Sequence, residues 1–188
     1  MARWEPGVRE RLLMAALDAF TEEGFEQTTV AGLAERAGVT ERTFFRHFAD
    51  KREVLFQGSS ALQDGVTQAI AAAPDGLDLI EVVTRAFESV GPFFAERHEF
   101  ARRRAAAIAS NTSLLERELL KLSALKAANA DALRARGVPD ADAVLAAEFG
   151  AAIFHVGFQR WVDDSTGVGL DRHVRQVADD LKALITRG

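Results

Sequence analysis

Apolar residues recur at three- and four-residue steps along nearly the whole chain. Nowhere do they alternate with polar ones for long enough to make a credible strand. The pattern predicts an all-α protein of about nine helices. Val8, Leu12, Ala16 and Phe20 stand four apart, with Leu13 and Leu17 beside them, and Gly24 closes this first helix. Two short patterns then flank Gly38-Val39-Thr40. The first carries Val30, Leu33, Ala34 and Ala37. The second carries Phe44, Phe45 and Phe48, with Arg42, Arg46 and His47 between them. Two short helices joined by a tight turn containing glycine make a helix-turn-helix, whose second helix enters a DNA major groove. Thr28 or Thr29 is expected to cap the first of the pair and Thr40 the second. Phe44 and Phe48 should face helix one, which leaves Glu41, Arg42, Phe45 and Arg46 outside.

The fourth helix is predicted over residues 51–72, weakened by Gly58 and Gly65 at about 1 kcal/mol each relative to alanine. Within it, residues 53–58 resemble a viral 3C-type protease site; the apolar pattern continues on both sides, so they read as native helix. Ala-Ala-Ala-Pro-Asp-Gly at 71–76 is the clearest break. Further helices are predicted over 78–90, 99–110, 114–136 and 140–164, with a last one from Leu170. Gly91-Pro92 and Gly137-Val138-Pro139 are stops. Residues 1–7 read as an arm, with Trp4 placed to pack on helix one. The organisation expected is a head over 1–52 and a larger helical domain over 53–188.

The last two helices carry more apolar surface than one small domain readily covers. Val144, Ala147, Ala151, Phe154, Phe158 and Trp161 form one stripe, and Leu145, Phe149, Ile153 and Val156 lie on another side. Val174, Val177, Leu181 and Leu184 continue a stripe begun at Leu170. A helix apolar on two sides must be buried on two sides. Pairing with a second copy would form a four-helix interface through the first stripe and Val174, Val177, Leu181 and Leu184. Burial within the chain is the competing reading.

Composition narrows the chemistry. The chain has 188 residues, a net charge of −5 and no cysteine, which excludes thiolate zinc sites, disulfides and cysteine redox sensing. The acidic balance argues against non-specific coating of nucleic acid. Residues 36–52 nevertheless hold five basic and two acidic residues, a local positive face. No hydrolase, zinc or phosphate-loop motif is present, and the four histidines have no metal spacing. No enzyme activity, metal or cofactor is expected. The least polar run, residues 149–159, is too short to cross a membrane, and no signal-peptide pattern opens the chain. A cytoplasmic protein without membrane partners is expected.

The stretch from Thr28 to Lys51 reads TTVAGLAERAGVTERTFFRHFADK. Through Thr29, Leu33-Ala34, Ala37-Gly38-Val39-Thr40, Thr43-Phe44, His47-Phe48 and Lys51 it resembles the DNA-binding motif of TetR-family transcriptional regulators. The resemblance covers residues 8–56. It implies a homodimeric repressor of an operator in double-stranded DNA, released by a small-molecule inducer. It implies DNA contacts by Thr28, Thr29, Thr40, Glu41, Arg42, Thr43, Phe45, Arg46, His47 and Lys51. Arg42 is the candidate base reader, because its fork matches the two acceptors of guanine. Lys51 is the candidate phosphate partner. Phe45 stands where the family usually has tyrosine, and this chain has no tyrosine at all. An inducer pocket is expected from Phe93, Phe94, Phe100, Leu119, Phe149 and Ile153, with His98, Arg103 and His155 as polar anchors. Helix four is expected to couple that pocket to the head. The alternative is a dimeric ligand-binding or interaction protein whose head no longer reads DNA.

Overall fold

The computed structural model describes residues 7–186. Trp4 and its expected packing lie outside the described residues. Among those residues the chain forms ten α-helical segments and one 3-10 turn, and no strand. It divides into two compact units, the first Met1–Gly58 with Arg103–Glu118, the second Ser59–Arg102 with Leu119–Gly188. The first therefore includes a segment, 103–118, that the sequence assigns to the larger domain.

The first unit opens with α1 (Val8–Glu22), α2 (Val30–Arg36) and α3 (Glu41–His47). Leu12, Ala16, Leu17 and Phe20 of α1 are buried, as are Leu33 and Ala34 of α2 and Phe44 of α3. The predicted fourth helix is not continuous. Glu53–Phe56 is a 3-10 turn, and α4 starts only at Ser59, running to Ala71. Asp50 accepts from the backbone N–H of Arg52 and Glu53, which starts the turn. Val54, Leu55 and Phe56 are all buried, so this short piece is enclosed on every side. Gly58, a poor helix former, sits at the break.

The second unit contains α4, α5 (Leu79–Glu88), the single turn α6 (Gly91–Phe94), α9 (Asp140–Asp163) and α10 (Leu170–Thr186). Two longer helices, α7 (His98–Ala109) and α8 (Thr112–Ala135), contribute residues to both units. The centre of the second unit is α9. By length and composition α9 is apolar enough to cross a membrane, although the sequence reading found no such run. Here it packs on α5 and α10 as a core helix, with Ala143, Ala146, Ala147, Gly150, Ala151, Ile153, Phe154, Gly157 and Trp161 buried. A Cβ on Gly150 would lie 2.9 Å from Val83 Cβ, and one on Gly157 would lie 3.1 Å from the backbone nitrogen and Cα of Val174. Helix backbones approach this closely only where the side chain is a hydrogen.

This packing corrects the expected dimer stripe. Ala147, Ala151, Phe154, Trp161, Val174 and Val177 are buried inside the single chain, and Phe158 and Leu181 are partly covered. Only Val144 and Leu184 of that set are exposed. The apolar side chains left in solvent are instead Val144, Leu145 and Val156 on α9 and Leu184 and Ile185 on α10. Periodicity marked both faces of α9 as apolar, but α5 and α10 cover the face with small residues, where close approach is possible.

An ion network ties α10 to α5. Arg175 donates to Glu88 and Glu81, at 2.6 Å and 2.8 Å in its shortest contacts, and Arg85 and Lys182 also reach Glu81. The Arg175 hydrogen bond is the chief cause that lowers the Glu81 carboxyl from 4.5 to about 2. A lowered carboxylate stabilises the fold above its unfolded value and loses that stabilisation as pH falls through the folded one. Glu81→Gln is expected to cost about 1–2 kcal/mol at pH 7. Its difference from the native chain should shrink in urea melts as pH drops from 4.5 towards 2. A difference constant with pH would count against the network. Gly157→Val forces a side chain into the Val174 backbone and is expected to cost about 1–3 kcal/mol, read as a lower urea midpoint with an unchanged slope.

Candidate nucleic-acid interface

The turn between α2 and α3 is built from local chemistry. Thr29 Oγ1 accepts from Gly32 N at 3.1 Å and Thr40 Oγ1 from Thr43 N at 3.1 Å, so both expected caps form. Gly38 has φ +65°, the left-handed conformation that lets the chain reverse between the helices. Val39 N donates to Ala34 O, and Arg11 Nε of α1 donates to Ala37 O at 3.0 Å. The turn is thereby fixed to the supporting helix.

Phe44 is fully buried and Phe48 nearly so, with ring centroids 5.6 Å apart. This anchors the inner face of α3 and turns Glu41, Arg42, Phe45 and Arg46 outwards. All four are exposed, Phe45 at 55%. Its ring meets Phe44 edge-on at 5.4 Å, so the side chain is braced although it is wet. Neither Arg42 nor Arg46 has an ion pair among the described residues. Other cations of the basic stretch are occupied. Arg36 pairs with Glu22 at 2.8 Å and with Glu23, and Arg52 pairs with Asp50 at 2.6 Å. The Arg52 hydrogen bond holds Asp50 below its usual carboxylate value. The positive surplus therefore concentrates on α3. His47 is partly covered, and its Nε2 is buried without a hydrogen-bond partner among the described residues.

Two expected DNA contacts are placed otherwise. Thr28 is buried, and its hydroxyl donates to Gly24 O at 2.9 Å. Lys51 turns inward. Its ammonium donates to Phe25 O at 2.7 Å and Thr28 O at 2.9 Å, and lies 4.2 Å from the Phe25 ring centre. The physical reason is the cluster of carbonyls left unpaired between α1 and α2, which draws the nearest cation. Lys51 positions the start of α2.

Sequence reasoning missed a second feature of this unit. Arg104 is partly covered, donates to Leu55 O at 2.7 Å and to Glu118 at 3.1 Å, and stacks over Phe56 at 4.9 Å. Burial pushes this guanidinium below its usual value, opposed by Glu118. Arg103 pairs with Asp18 at 2.6 Å, Arg117 with Glu53, and Asn111 donates to Glu26 at 3.0 Å. The run Arg102-Arg103-Arg104 looks like a solvated face in sequence. Only the fold shows that its third member is mostly covered.

The expected inducer pocket does not assemble. Arg103 is bound to Asp18, His155 is exposed, and Leu119 is 57% exposed. Within the second unit, Phe94 packs edge-on against Phe158 and Trp161, and His98 Nε2 lies 2.7 Å from Trp161 O. Ile153 is core. Phe93 is half-exposed beneath the Arg97 guanidinium at 4.2 Å, and Phe100 and Phe149 are partly covered. Phe94, Phe154, Phe158 and Trp161 make a packed cluster. No group of metal-ligating side chains occurs among the described residues.

Comparison with known proteins agrees with the head. The family described as bacterial regulatory proteins, tetR family, matches residues 12–57. The HTH-type transcriptional regulator TcmR of Streptomyces glaucescens is 39% identical over 82 residues, 44% of this chain and 36% of that protein. The HTH-type transcriptional regulator BetI of Klebsiella pneumoniae is 37% identical over 76 residues, 38% of this chain and 39% of that protein. The matches thus span little more than a third of these relatives. The fold extends further. The structure of an SmeT–triclosan complex superposes with a TM-score of 0.63 at 22% identity, over 94% of this chain and 90% of that one. A TetR-type regulator from Syntrophomonas wolfei gives 0.60 at 18% identity, over 94% of each chain.

Lys51→Met removes a charged donor from two carbonyls. It is expected to cost about 1–3 kcal/mol of stability, seen as a lower melting temperature of the isolated protein. A variant that melts like the native chain but binds DNA more weakly would return Lys51 to the phosphate backbone.

Proposed function

We propose that this chain, whose residues 12–57 match the tetR family of bacterial regulatory proteins, is a homodimeric transcriptional repressor released from its operator by a small molecule. The observation that carries the reading is the outer face of α3. Arg42 and Arg46 stand there exposed and without ion pairs among the described residues, on a helix held by Phe44 and Phe48. An arginine fork donates to the O6 and N7 of guanine, and Arg42 near the start of α3 is the residue for that task. Arg46, a turn further on, meets the flanking phosphates. Phe45 offers a ring to a sugar or a thymine methyl and has no hydroxyl for a phosphate. Thr29 and Thr40 cap α2 and α3 and set both helix starts against the backbone.

A dimer places two recognition helices in successive major-groove faces, about 34–36 Å apart, on a roughly palindromic site. The surface that supports pairing is the exposed apolar set Val144, Leu145 and Val156 on α9 with Leu184 and Ile185 on α10. The solved SmeT complex holds triclosan, which supports a ligand-responsive body on this fold. A ligand releases DNA only by binding the non-DNA conformation more tightly. The protein acts in the cytoplasm, where its DNA lies. The acidic total charge and the missing tyrosine favour a second reading, a ligand-binding dimer with a silent head.

Arg42→Ala separates the two. On the DNA upstream of the protein's own gene, the native chain is expected to bind more tightly than to random DNA and to weaken steeply with salt. The variant should lose about 10- to 100-fold in affinity with an unchanged melting temperature. Equal affinity of native and variant chains in fluorescence anisotropy would favour the silent head.

A further inference from the structure

In the second unit one buried polar side chain has no hydrogen-bond partner among the described residues. Asn129, on α8, is 0% exposed, and neither its Nδ2 nor its Oδ1 meets a hydrogen-bond partner. A primary amide carries two donors and an oxygen with two lone pairs. Burying these unused opposes folding, and native chains rarely do so. Thr84, the other buried polar side chain of this unit among the described residues, is satisfied, donating to Ile80 O at 2.6 Å. Asn129 is the exception.

Its surroundings follow from the tethers of α8. Lys126 reaches Glu148 of α9 at 2.9 Å, and Arg136, just past the end of α8, donates to Ala71 O of α4 at 3.0 Å. Asn129 lies between these points, on a buried stripe with Leu125 and Leu133 four residues to either side and Ala130 beside it. Asn129 thus lies on the covered stripe of α8, between its tethers to α9 and α4. Among the described residues no charged side chain is buried in this unit. A charged ligand would find no counter-ion there.

We propose that Asn129 is the polar anchor of a small-molecule site in the helical body, taking an uncharged, mostly apolar ligand with one donor–acceptor edge. Lactams, carboxamides and imides have that edge. Asn129 donates to the ligand carbonyl and accepts from its N–H, while the Leu125–Leu133 stripe covers the apolar part. The assignment rests on the ligand response proposed above and gives it a location and a chemical class. It replaces His98, Arg103 and His155, which are bound elsewhere or exposed.

The test uses the full ¹⁵N-labelled chain and a graded set of probes: acetamide, 2-pyrrolidone and benzamide, with N,N-dimethylbenzamide as the control lacking a donor. At least one of the first three is expected to shift the Asn129 side-chain amide pair saturably, and the control at least tenfold more weakly. Asn129→Leu should fold, melt no lower than the native chain, and bind the same probe at least tenfold more weakly. An amide pair that none of the probes moves overturns the proposal, and this readout holds even if the variant does not fold. So does an amide pair that exchanges magnetisation with a long-lived buried water which no probe displaces. Operator binding is measured separately. Probe binding without DNA binding would sink the repressor reading alone, and DNA binding without a probe shift would sink the anchor alone.

Discussion

A helix of seven residues does not hold its shape in water, and everything on the outer face of α3 depends on one that does. Phe44 and Phe48 supply the constraint. Buried four residues apart, they fix both the axis of α3 and its rotation, and so decide which side chains are left outside. Arg42, Phe45 and Arg46 are outside because those two are inside. The threonine caps and the Arg11 bond to Ala37 O then fix the ends. Recognition chemistry here is a consequence of hydrophobic burial, with polar contacts setting the register.

The same unit covers most of Arg104, and its contacts constrain the segment 103–118. A guanidinium removed from water is costly unless its donors are matched. Leu55 O, Glu118 and the Phe56 ring match it. Three more polar ties, from Arg103, Asn111 and Arg117, reach Asp18, Glu26 and Glu53. The helices supplying these ties, α7 and α8, also supply residues to the second unit. The 3-10 turn and the break before α4 interrupt the helix expected over 51–72.

In the second unit the organising contacts are made at two glycines of α9. Gly150 and Gly157, seven residues apart on one face of α9, admit Val83 with Phe87 on one side and Val174 on the other. That approach buries the alanine-rich stripe within one chain and leaves Val144, Leu145 and Val156 exposed. The two apolar sides of α9 look equivalent in a list of hydrophobic positions. They differ in side-chain size, and size decides which side accepts a neighbouring helix at close range.

The head was legible in sequence because its information is local. Caps, the Gly38 turn and the Phe44–Phe48 pair lie within two dozen residues, and each has a chemical signature that needs no knowledge of the rest. The helical class and most helix boundaries were legible for the same reason, since periodicity is set by rotation per residue. What stayed hidden involves residues far apart in the chain. Lys51 turns to carbonyls 23 and 26 residues earlier, and Arg104 meets Leu55 across 49. The expected pocket residues scatter between core and surface, while Asn129, unremarkable in a helix rich in polar side chains, is enclosed. Local rotation and capping determined the helices from the sequence alone. Which face of each helix is covered, and which charged or polar group is left without water, was decided only when distant segments met, because burial is a property of neighbours and not of residues.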